Sequence, residues 1–377
     1  MLDIFFSSMA FAVASFSLFL IPPSQSKSPL VLVLICLLFF SAGPIVFNIM
    51  PGLKQLYVSL LPALFFLFLP SLWFYHEATI SQRPWDWRQS VLRHFATLPF
   101  MLLLGIAIFT MPEQSFEQMF FSANAINSDG IKVLSILFFI AVLSWCLFSC
   151  WYVVRIISRT LKYRKRIKTM YADETGRSLN WVVFTSILII FTWIYALIIL
   201  AFEDQLKGFG FSETGVLMLL TVIVWLIAFN GVKQKPGFED TQQPTEASSN
   251  EINKKPYERS ALNENDLQRI SVKLAAAIGR EKVHLSPELN LLSLSKQVGE
   301  PSQYVSQTLS QNLNTTFFDF INKARIDEAK QLLIKSNDTV LNVAYATGFN
   351  SRSSFYKAFR QYTNQTPNQY RESVGKS

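Results

Sequence analysis

Up to about residue 232 the chain carries seven long apolar runs, and beyond that point it turns polar, with apolar residues recurring only at helical spacing. A bilayer core about 30 Å thick takes roughly 20 helical residues at about 1.5 Å rise each. The runs predict spans near Ile4 to Ile21, Pro29 to Ile49, Leu56 to Tyr75, Phe95 to Met111, Ile131 to Val154, Asn180 to Phe202 and Thr214 to Val232. The first is not read as a signal peptide, because only Asp3, and no basic residue, precedes it. Two hydropathy regimes imply two solvents.

Composition agrees with this division. Half of the 377 residues are hydrophobic and 16% are charged, a balance unusual for a chain wholly in water. The net charge of +8 fits nucleic acid or anionic lipid as partner and does not choose between them. Placement of the charge says more. With the N-terminus outside, the loops facing the cytoplasm carry Lys27, Arg83, Arg88, Arg93, Arg155, Arg159, Lys162, Arg164, Lys165, Arg166, Lys168 and Arg177, whereas the outer loops carry Lys54, Lys132 and Lys207. Twelve against three is a strong positive-inside bias, and seven spans then leave the C-terminal part in the cytoplasm.

The run from Arg155 to Lys168 is expected to prolong the fifth helix into water, chiefly as a topology anchor, with a contact to the C-terminal part or to DNA as the alternative. Trp73, Trp151 and Trp181 fall near span ends, where indole rings favour the interface. The span interiors hold no Lys, Arg, Asp, Glu or His, which argues against a pump or ion-coupled transporter. Pro44, Pro62, Pro70 and Pro99 are read as tolerated packing. Cys36, Cys146 and Cys150 are read as small buried hydrophobes, with no metal site and no disulfide framework.

From about Lys233 to Pro256 the chain is polar, with too little apolar content to fold and a reach of roughly 25 to 30 Å, and 233–262 is expected to form a flexible linker. Leu267, Ile270, Leu274 and Ile278 then form one apolar helical stripe. The most specific feature follows: Val305, Leu309, Asn314 and Thr316 recur fifty residues later as Phe355, Phe359, Asn364 and Thr366. Each copy reads as a helix, a glycine turn and a second helix, over about 291–312 and 340–363. Gly299 and Gly348 suit the turns, Ser302 and Ser351 stand near N-caps, and Asn314 and Asn364 suit left-handed C-caps. Between the copies, Phe317 to Lys335 predicts a helix roughly 27 Å long, on the scale of successive major-groove segments. The expected fold class is all-α: a transmembrane bundle of about seven spans over 1–232, the linker, and a soluble double helix-turn-helix domain over 263–377.

From about Leu289 to Glu372 the chain resembles the DNA-binding domain of the AraC/XylS family. The resemblance is carried by Ala324-Arg325-Ile326, Glu328-Ala329, Leu332-Leu333, Val343-Ala344, Gly348-Phe349, Ser353, Phe355, Phe359, Thr366-Pro367 and Tyr370-Arg371. It covers under a third of the chain, and it implies two recognition helices presented to the major groove of promoter DNA. The whole architecture is similar to membrane-integrated regulators of that family.

With Val305 and Leu309 in the core, Ser302, Gln303, Ser306, Gln307 and Ser310 or Gln311 face outward from the first recognition helix. That face is neutral. The family often has Arg where Gln307 stands, whereas Gln pairs bidentately with adenine, so an adenine preference is expected at the base met by Gln303 or Gln307. On the second helix Arg352, Ser353, Tyr356, Lys357 and Arg360 face outward. Arg352 and Lys357 are candidates for bases and Arg360 for a phosphate.

No phosphate-binding glycine loop or nucleophile elbow is present, so no cofactor and no catalysis are expected. The leading reading is a one-component regulator in a bacterial inner membrane, with promoter DNA, the lipid bilayer and RNA polymerase as partners and a homodimer as a further state. The alternatives are an integral-membrane enzyme or transporter with a regulatory DNA-binding tail, and a protein-binding helix-turn-helix.

Overall fold

A computed structural model describes residues 1–22, 27–81, 88–122, 128–174, 176–206, 212–235, 237 and 262–374. Most of the polar stretch 233–262 therefore lies outside the described residues. Among them the structure is helical, with one isolated antiparallel bridge between Tyr171 and Asn290. The chain forms two compact units: Met1–Leu161 with Leu179–Glu239, and Lys162–Ser178 with Asp240–Ser377.

The first unit contains α1 (Leu2–Leu20), α2 (Ser28–Ser41), α3 (Gly43–Ile49), α4 (Lys54–Ile80), α5 (Arg88–Phe95), α6 (Leu98–Thr110), α7 (Glu113–Phe120), α9 (Asn180–Leu206) and α10 (Glu213–Lys233), and most of α8 (Asp129–Lys168). Among the described residues, seven stretches are long and apolar enough to cross a membrane. The run Pro29 to Ile49 falls in one candidate span, Ser28–Ile49, whose helix is interrupted at Ala42, because Pro44 has no N–H to give to the carbonyl four residues earlier. A further break, at Ala96–Thr97, precedes Pro99 in the first turn of α6. Pro62 and Pro70, by contrast, lie inside the continuous α4.

Within this unit α1 packs on α10 and α2, α4 on α2 and α6, and α9 on α10. Gly105 lets α6 approach the backbone of α4, since a side chain there would run into the Ser59 carbonyl. Large apolar side chains also point outward, among them Phe100, Leu103 and Ile106 on α6, Ile136, Phe139 and Leu147 on α8, and Phe184, Ile187 and Phe191 on α9. Exposed apolar surface on that scale needs a cover. Of the three cysteines, Cys36 is buried, Cys146 half-buried and Cys150 exposed, so the reading as a buried hydrophobe fails for Cys150, which is on the outward face of α8. About two-thirds of the way along α8 the Arg155 guanidinium lies over the rings of Trp73 and Trp151, 5.0 and 4.6 Å from their centroids.

The second unit contains α11 (Glu264–Gly279), α12 (Leu291–Val298), α13 (Ser302–Gln311), α14 (Phe317–Lys335), α15 (Val340–Ala346), α16 (Arg352–Thr363) and α17 (Pro367–Val374). It has two cores that share one helix. The first half of α14 gives Phe317 and Ile321 to a core with Ile270 and Leu274 of α11, Leu291 and Leu294 of α12, and Val305 and Leu309 of α13. The second half gives Ile326, Ala329 and Leu333 to a core with Val343, Ala344, Phe355 and Phe359. The stripe on α11 is thus spent on packing within this unit.

Candidate nucleic-acid interface

Each module pairs a short helix with a longer one across a glycine turn. α12 starts on a capping box in which the Asn290 side chain accepts from the Ser293 N–H and the Ser293 hydroxyl accepts from the Asn290 N–H. It ends at Gly299 with φ +68°. α15 starts on the Thr339 hydroxyl, and the chain turns at Gly348 with φ +85°. The recognition helices α13 and α16 begin fifty residues apart, but α12 and α15 begin forty-nine apart; α15 is also one residue shorter than α12, so the second turn is two residues longer than the first.

The caps differ too. Ser351 is the N-cap of α16 and accepts from the Ser354 N–H at 3.2 Å. Ser302, however, is the first helical residue of α13, and its N-cap is Pro301, which has no side-chain oxygen to offer. Asn364 takes the left-handed C-cap conformation at φ 57°. Asn314 also has positive φ, 46°, but it lies two residues beyond the α13 C-cap, which is Asn312.

On α13, Gln303 and Gln311 are exposed, while Ser302, Ser306 and Gln307 are half-buried. The Gln307 amide donates to the Gln311 Oε1 at 3.0 Å, one helical turn on, which orients the Gln307 side chain along the helix. On α16, Arg352, Ser353, Lys357 and Arg360 are exposed and Tyr356 is half-buried. Arg352 lies over the Tyr356 ring, 5.0 Å from its centroid, and donates to its hydroxyl at 3.3 Å. One recognition helix therefore offers neutral amides and hydroxyls, the other three cations.

Several side chains hold the modules together. Arg325 of α14 is 0% exposed, and its Nε and Nη2 donate to the His284 and Ser286 carbonyls at 2.7 and 2.8 Å. Burial of the guanidinium pulls its pKa down to about 10, a shift that the Asp173 carboxylate opposes. The Tyr362 hydroxyl near the end of α16 donates to the Asp319 carboxylate in the first turn of α14 at 3.1 Å, and burial, then Asp319, raise the phenol pKa. Arg371 of α17 donates to the Leu333 and Asp338 carbonyls at 3.1 and 2.7 Å. Arg325 and Arg371, singled out above only through the resemblance, thus have structural duties. Glu300, in the first turn, pairs with Arg269 and Lys273 of α11.

Residues 294–373 match a family model described as a helix-turn-helix domain. An "Uncharacterized HTH-type transcriptional regulator" of Staphylococcus aureus (strain COL) is 36% identical over 90 residues, 24% of this chain and 12% of that protein. The raffinose operon transcriptional regulatory protein of Pediococcus pentosaceus is 27% identical over 99 residues, 26% of this chain and 36% of that protein. The match thus spans well under half of either relative. The C-terminal domain of a response regulator from Geobacillus stearothermophilus is 24% identical and covers 30% of this chain and 88% of that one, with a TM-score of 0.25, at which the likeness carries no argument. The C-terminal region of this chain is a helix-turn-helix domain of the AraC type.

Proposed function

We propose that this chain is a membrane-embedded one-component transcription regulator. Residues 1–232 sense a signal at or outside the membrane, and the region 263–377 binds promoter DNA through α13 and α16 and acts on RNA polymerase. The observation that carries DNA binding is the pair of helix-turn-helix modules built on one helix. The nineteen residues of α14 give roughly 28 Å, a length suited to recognition helices in successive major-groove segments. Arg352, Lys357 and Arg360 supply the phosphate-seeking charge on α16. Membrane embedding is supported by the seven long apolar helices, by their outward apolar side chains, and by the basic loops that favour a cytoplasmic C-terminal region.

The test is selection from random duplex DNA with the full chain in lipid nanodiscs. The expected result is an enriched sequence of two half-sites centred about one helical turn apart, bound with an affinity that falls steeply as salt rises. Retention of all sequences alike would leave an unspecific cation surface and no regulator.

A further inference from the structure

The segment Met170–Asp173, between α8 and α9, is built into the second unit. Ala172 is 2% exposed and belongs to the first core with Leu291 and Ile321. The Leu291 N–H, which the first turn of α12 leaves without a partner inside the helix, donates to the Met170 carbonyl at 2.8 Å. Asn322 of α14, itself buried, donates from Nδ2 to the Ala172 carbonyl at 3.1 Å, and Tyr171 bridges to Asn290. Asp173 reaches the other module: Asn350 Nδ2, one residue before the N-cap of α16, donates to its carboxylate at 2.8 Å. The same carboxylate offsets the charge of the buried Arg325. One short stretch of chain therefore fastens the first module to the entry of the second recognition helix.

This stretch follows α8 directly and precedes α9, two of the helices apolar enough to cross a membrane. We propose that the docked Met170–Asp173 segment, and not the polar stretch after residue 233, is the input by which a change in the apolar helices reaches the two recognition helices. The inference rests on the regulator reading above. Docked, the segment keeps α13 and α16 at one spacing; released, it leaves α16 free to shift, and DNA that must meet both helices is bound less well. DNA that meets one helix is indifferent.

The test uses the full chain in lipid nanodiscs and DNA selected on the wild type, as a full site and as either half. Amide hydrogen exchange at Leu291 reports docking. Ala172→Asp puts a charge into buried space; the expected outcome is loss of Leu291 protection and roughly tenfold weaker full-site binding, with half-site binding kept. Asp173→Ala removes the link to Asn350 together with the carboxylate that offsets Arg325, and is expected to weaken full-site binding several-fold with Leu291 still protected. A Gly/Ser insertion between residues 240 and 250 is expected to change neither readout.

If Ala172→Asp also loses half-site binding, the domain has unfolded and Asp173→Ala decides. Free exchange at Leu291 in the wild type, full-site affinity unchanged in Asp173→Ala, or an insertion as damaging as Ala172→Asp each overturns the proposal. A wild-type chain that selects no DNA sinks the regulator reading itself, whereas one that selects DNA and ignores these variants sinks only the input.

Discussion

The carbonyl oxygen of Leu285 lies 2.7 Å from the point where a side chain on Gly348 would begin. This contact seats the turn of the second module against the Val283–Leu285 turn that also holds Arg325. Left-handed backbone costs an ordinary residue roughly 1–2 kcal/mol. At Gly348 a Cβ adds overlap with backbone atoms that cannot rotate away, whereas at Gly299, with φ +68°, nothing lies within 4 Å. Gly299→Ala is expected to lower the stability of the second unit by about 1 kcal/mol and Gly348→Ala by at least about twice that. Native-state hydrogen exchange at buried amides such as Phe355 measures both; equal losses would mean that the approach to Leu285 is not tight.

Arg325 satisfies two carbonyls from inside the core. Arg325→Leu leaves both without a donor, at about 1–3 kcal/mol each, so a loss of roughly 3 kcal/mol or more is expected. Arg325→Lys is expected to recover only part of it, because one ammonium cannot match the fork that spans His284 and Ser286. The same exchange measurement reads both variants.

The two recognition helices are expected to fail differently. Gln307→Ala should relax preference at one base by roughly 1–3 kcal/mol, whereas Arg360→Ala should weaken all sequences alike and flatten the salt dependence. Because Gln311 accepts from the Gln307 amide, Gln311→Ala is expected to blur the same base more mildly. Binding measured across single-base variants of the selected site separates these outcomes.

Glu300 gives the second unit a dependence on acid. Hydrogen bonds from Arg269 and then Lys273 hold its carboxyl below the ordinary 4.5. A group with a depressed folded pKa contributes stability that is present above its unfolded value and is lost as pH falls through the folded value. Glu300→Gln should therefore be less stable than the wild type at pH 7, with the gap closing as pH falls below the ordinary 4.5 and through the lowered folded value. A gap that persists into acid would assign Glu300 to packing instead.

Much of the helical layout was legible in the sequence, and the reasons are local. Long apolar runs have one period and one solvent, and a glycine between two amphipathic helices has few other uses, so α12 through α16 could be read from Leu291, Gly299, Val343 and Gly348. The core faces of α13 and α16 could be read from Val305, Leu309, Phe355 and Phe359, but the opposite faces are not wholly left to solvent, since Ser302, Ser306, Gln307 and Tyr356 are half-buried. The docked segment was not legible, because its contacts run through the Met170 and Ala172 carbonyls, which every residue carries, and through one small side chain. Hydropathy put Lys162–Ser178 with the membrane half, and only the fold brings it to Leu291 and Asn322. The Pro301 cap was missed for a related reason: serine is the better cap in general, but here proline stands one residue earlier and sets the helix start.

The central claim is that the apolar helices hold the chain in a membrane with its DNA-binding region on the side of the chromosome. Paired fusions after residue 377, one to a reporter active only in the cytoplasm and one to a phosphatase active only in the periplasm, test it in a bacterial host. The account predicts a membrane-bound fusion with cytoplasmic activity and a silent phosphatase. An active phosphatase, or a fusion that washes free of the membrane, would contradict it.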